Sequence, residues 1–136
     1  MSTDYTRTQA SGWLAFAAVM LWVAAGIYFL WALNLFADND WFHQVSAGVF
    51  ANHVWVWGLW DLAMSFIFLV AGYDVWQGGD FGRLVALIVA SVSIVRWLYW
   101  MQFAPLAAFA IVVIDVLIIY GVLTTWDGRT ARRAAT

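Results

Sequence analysis

The sequence predicts an all-α fold, an integral membrane four-helix bundle, and three observations carry that prediction. Hydrophobic residues make up 65% of the 136 residues and charged residues only 10%, against about 45–50% and about 25% in an ordinary soluble domain. That little polar surface cannot cover a particle in water, so lipid is the solvent for most of the chain. Four separate apolar stretches reach the roughly 20 residues that a helix needs to cross a bilayer core of about 30 Å. The 11 Trp, 5 Tyr and 10 Phe add rings of the kind that favour the headgroup level of a bilayer.

The first span is expected at 13–36, after an N-terminal tail at 1–12. Its apolar run is too long for a secretory signal and only Arg7 precedes it, so it reads as a retained helix. The second span is expected at 54–76, the third at 81–103 and the fourth at 106–126, with a second tail at 127–136. Both tails read as loosely ordered. Gln77-Gly78-Gly79-Asp80 forms a tight turn, with Asp80 placed to cap the third helix. Pro105 starts the fourth helix, where its missing N–H is harmless. Such short links make the second, third and fourth helices antiparallel neighbours.

The outer loop at 37–53 is longer. Trp41, Phe42, Val45, Val49 and Phe50 recur there at helical spacing and predict a short interfacial helix. Orientation follows from arginine. Arg7, Arg83, Arg129, Arg132 and Arg133 all fall on one side of the four spans, and the opposite loops contain neither Arg nor Lys. The positive-inside rule then places both termini in the cytoplasm and the 37–53 loop outside. The spans form one domain at 13–126.

The sixth arginine, Arg96, lies inside the third span. A guanidinium at the centre of a spanning helix costs about 2.5–3.5 kcal/mol on insertion scales. It is tolerated when it faces the bundle interior and finds a partner, and Asp61 and Asp115 lie in the two neighbouring spans. Asp61 stands seven residues from the outer end of the second span and Arg96 seven from that of the third, which puts both roughly 10 Å deep at 1.5 Å per residue. Asp115 lies about nine residues into the fourth span, or roughly 14 Å deep. The three charges are therefore expected to share one layer. Ser65, Ser93 and Asn34 stand within reach of it as hydrogen-bonding groups. Gly58 and the Ala86/Ala90 pair permit close helix approach.

This layer has two readings. One is a fixed ion pair that sets helix register and rotation; the other is a polar site for a proton, an ion or a small ligand. The remaining motifs are weaker. His43 and His53, with Asp38 and Asp40, are weak metal candidates without a recognised ligand spacing. No His or Cys lies at membrane depth to hold haem, and no cofactor is implied. Trp55, Trp57 and Trp60 read as an interfacial aromatic belt. Cysteine is absent, and a net charge of −2 gives no reason to expect a nucleic-acid partner. No phosphate-binding loop, dinucleotide fingerprint or nucleophile elbow occurs, so no enzymatic activity is expected.

Several runs are nonetheless distinctive: Gly12-Trp13-Leu14-Ala15-Phe16-Ala17; Trp57-Gly58 with Leu62 and Ala71-Gly72; Gly79, Gly82-Arg83 and Ser91–Ser93; and Ile114-Asp115-Val116-Leu117-Ile118-Ile119-Tyr120. Together, over about residues 12–125, they resemble a family of small four-span membrane proteins of unknown function common in actinobacteria. The resemblance implies a multi-pass protein of the bacterial plasma membrane and carries no known activity. It also implies a neutral polar residue at position 96, so Arg96 departs from the pattern, as does the long aromatic outer loop. The expectation is a structural or accessory protein that associates with itself or with a larger membrane complex. The alternative is a small proton-coupled transporter or ligand-binding protein using Arg96, Asp61 and Asp115.

Overall fold

The computed structural model describes residues 2–37 and 54–135, with side chains described at 12–37, 54–126 and 134–135. Four α-helices fill it: α1 Ser2–Phe36, α2 Val54–Trp76, α3 Asp80–Trp100 and α4 Pro105–Ala134. Each contains a stretch of 21 to 25 residues apolar enough to cross a membrane, which at 1.5 Å per residue is roughly 32–38 Å. No strand occurs among the described residues. Over the described residues the protein is all-helical, with four helices long and apolar enough to embed it in a membrane. The interfacial helix expected within 37–53, His43 and His53, and the side chains of Arg7, Arg129, Arg132 and Arg133 lie outside the described residues.

Three boundaries differ from the sequence expectation, each for a local reason. α3 stops at Trp100 rather than at 103. The Trp100 carbonyl accepts from both the Phe103 and Ala104 amides, at 2.9 and 3.0 Å, and Ala104 precedes a proline that disfavours helical backbone there. Pro105 then opens α4, with the Ala104 carbonyl accepting from the Ala108 amide at 2.9 Å. The two tails expected to be loose continue as helix, to Ser2 and to Ala134, because extending an existing helix costs far less than nucleating one.

The α2–α3 turn is built by glycine and by an unexpected cap. Gly78 has φ 81°, a conformation that costs other residues about 1–2 kcal/mol. The Gly79 amide donates to the Asp74 carbonyl at 2.8 Å and the Gly78 amide to the Val75 carbonyl at 2.9 Å, the paired bonds of a Schellman ending. Asp80 does not cap α3. The residue at the N-cap is Gly79, with no side-chain cap bond. Instead the Gly82 amide donates to Asp74 Oδ2 at 2.5 Å, across the turn from the end of α2. Asp80 sits in the first turn of α3, 3.7 Å from Arg83 Nη1.

Each helix packs against its neighbour in the chain, and α1 packs against α4, closing the four into a ring. Small residues make the close approaches. Ala17, Ala18, Ala24 and Ala25 of α1 are buried in one core with Phe68 and Val75 of α2 and Ile118 and Val122 of α4, and Ala32 is fully buried too. A Cβ on Gly72 would meet the Trp22 indole at 2.6 Å, and one on Gly121 would meet Ala17 Cβ at 3.1 Å. In lipid no hydrophobic force drives helices together, so such packing carries the association. The outer surface is as apolar as the core, with Phe66, Phe81, Val95 and Leu106 pointing outward.

Candidate functional site

Inside the ring every helix contributes to one polar cluster. Arg96 of α3 reaches Asp61 of α2 with both ends of its fork: Nη1 donates to Oδ1, and Nη2 donates to Oδ2 at 3.1 Å. Asp61 is 0% exposed and the Arg96 side chain 11%. Bidentate pairing of this kind fixes orientation as well as charge. The guanidinium carbon also lies 5.9, 5.7 and 5.7 Å from the ring centres of Tyr28, Trp57 and Trp97, so aromatic faces cover the cation where water would otherwise be needed.

A second set of bonds runs beside the pair. Trp97 Nε1 donates to the Tyr28 hydroxyl at 2.8 Å, the Tyr28 and Ser93 hydroxyls are 2.7 Å apart, and Ser93 donates to Asp115 Oδ2 at 2.5 Å. Since Ser93 gives its one hydrogen to Asp115, it accepts from Tyr28, and the chain points from α3 through α1 to the α4 carboxylate. Tyr28 is wedged edge-on to Trp97 at 6.3 Å and tilted over Phe68 at 5.3 Å.

This arrangement decides one open point of the expected layer and corrects it in two places. Asp115 does not pair with Arg96; among the described residues its hydrogen-bond partner is Ser93. The depth match is real but incomplete, because three helical positions separate Ser93 from Arg96 and turn them about 60° apart around the axis. Ser93 thus meets α4 while Arg96 meets α2. Ser65 stands outside the cluster, donating to the Ala25 carbonyl at 2.8 Å and tying α2 to α1. Asn34 is exposed on α1 rather than enclosed with the charges. The belt also divides: Trp55 and Trp60 point outward, whereas Trp57 turns towards Arg96.

Sequence reasoning missed Tyr28, Trp97 and Arg83. Tyr28 carries the sole hydroxyl between positions 13 and 36, which was the available signal for it. Trp97 follows Ser93 by one turn on the same face. Arg83, taken as a marker of the cytoplasmic loop, is only 2% exposed. No group of three or more metal-binding side chains occurs among the described residues. The apolar grooves along 66–85 between α2 and α3, along 59–69 of α2, beside Trp22 and Tyr73, and beside Trp13 and Leu117 are not lined by Arg96, Asp61 or Asp115.

Residues 13–127 match a family model described as a domain of unknown function, DUF7144. No curated protein and no solved structure matches the chain.

Proposed function

The chain belongs to the DUF7144 family, a domain of unknown function, and from that premise we propose a non-catalytic structural or accessory role in the bacterial plasma membrane. In this reading four antiparallel helices cross the bilayer, both termini are cytoplasmic, and the protein acts by associating with itself or with a larger membrane complex. The contacts of Phe36 with Gly58 and of Trp22 with Gly72 support the antiparallel course of α1 and α2. One observation carries the role: Arg96 is closed on Asp61 by both arms and covered by three aromatic rings. Both arms of the fork are taken up by Asp61 and only Nε is without a partner among the described residues, which suits a lock on helix register and rotation.

The test is a chain with both charges removed, Arg96→Met with Asp61→Leu, purified in native-lipid particles beside the wild type. The expected result is a folded protein that keeps the wild-type assembly mass. A wild type that is a lone monomer in such particles contradicts the accessory role. A folded double variant that loses an ion or solute flux present in the wild type moves the reading to transport.

A further inference from the structure

Asp115 is the buried acid that the lock does not use. It is 0% exposed, and its Oδ1 has no hydrogen-bond partner among the described residues. From the helices packed on α4, Ser93 of α3 touches it directly, Tyr28 of α1 reaches it through Ser93, and Trp97 of α3 bonds to Tyr28 behind them. The nearby cation, Arg96, is committed to Asp61, the remaining acid of the cluster. An ionised Asp115 would therefore be a charge without a counter-ion, which costs more to bury than a neutral hydroxyl lacking an acceptor.

We propose that Asp115 is a proton-binding site inside the bundle, separate from the Arg96–Asp61 pair, with Ser93 and Tyr28 as its positioning residues. The geometry gives the proton two places. On Oδ1 it leaves the chain from Trp97 through Tyr28 and Ser93 to Oδ2 unchanged. On Oδ2 it is donated to Ser93, which then turns its own hydrogen to Tyr28; Tyr28 already accepts from Trp97, so its hydrogen loses its acceptor, and Oδ1 is the favoured place. Either way the proton comes from water and the acid becomes neutral. Only a proton on Oδ2 turns the hydroxyls that connect α1, α3 and α4, so only there does occupancy at α4 reach the Tyr28 contact of α1. This goes beyond the lock reading, which needs no protonation change.

Infrared difference spectroscopy of the full chain in lipid vesicles tests it, stepping over roughly pH 5 to 9, the range around neutrality. A protonated-carboxyl carbonyl band is expected in the wild type. It should vanish in Asp115→Asn, persist in Asp61→Asn, and move to higher frequency in Ser93→Ala, where its hydrogen bond is lost. Absence of the band at every pH overturns the proposal, as does its survival in Asp115→Asn. If Asp115→Asn does not fold, the Ser93→Ala shift decides, and an unmoved band overturns the site.

Discussion

Replacing Arg96 alone should be the most damaging single change in the polar cluster. Arg96→Met keeps an apolar stem but strips the fork from Asp61, whose side chain is 0% exposed. Breaking a buried ion pair at one end costs about 3–5 kcal/mol, because the other charge stays behind. Asp61→Leu should cost about 1–2 kcal/mol less, since the stranded guanidinium keeps its aromatic rings and has a stem long enough to turn towards the headgroups. Removing both charges replaces the pair by apolar atoms of similar volume, a change that is neutral or stabilising by about 1–4 kcal/mol. The double-mutant cycle should then return a coupling of at least about 4 kcal/mol. Reversible unfolding in lipid bicelles, followed by Trp emission, measures all four corners. Single-variant losses below about 1 kcal/mol that simply add would mean a pair solvated like one at a protein surface, and the lock would be refuted.

Three further outcomes are expected. Asp74→Ala should lower stability by about 0.5–2 kcal/mol through loss of the α3 cap, and Asp80→Ala by less than half as much; the reverse order in the same unfolding assay would put the cap back on Asp80. Gly72→Ala should cost about 1–3 kcal/mol by overpacking against Trp22 and Leu21. Gly26→Ala, where an added Cβ meets nothing within 4 Å, should instead stabilise by about 0.5–1 kcal/mol, and equal effects at both sites would contradict the packing described for α1 and α2. Because the chain has no native Cys, single cysteines report topology cleanly. A membrane-impermeant maleimide on intact cells should label Gln44→Cys and spare Ser2→Cys and Gln77→Cys, and the opposite pattern would invert the orientation.

The spans were legible because bilayer thickness sets a length that composition can be measured against. The Arg96–Asp61 pair was legible for a related reason, since a charge in hydrocarbon must find its opposite. Asp115 was placed at a matching depth as one of two candidate partners for Arg96, and depth alone could not choose between them, because rotation about the helix axis is the other coordinate. With no water-facing side, the spans are apolar all round, and the sequence hardly marks which face points inward. Tyr28 and Trp97 were hidden among residues that read equally well as belt or packing. The Asp74 cap was hidden because it reaches Gly82 from the preceding helix, eight positions away, whereas capping rules look at the residue next to the helix start.

The polar cluster also bears on which helices balance one another's charge. Arg96 and Asp61 belong to α2 and α3, the two helices joined by the Schellman turn and the Asp74 cap. That hairpin therefore contains both members of its costliest ion pair, and it can neutralise them without help from either outer helix. α1 brings only the uncharged Tyr28 to the cluster, so its docking adds shape and hydrogen bonds and no charge. The central hairpin is thus the helix pair that balances the charges of the ion pair within itself, and α1 adds an aromatic face over the cation.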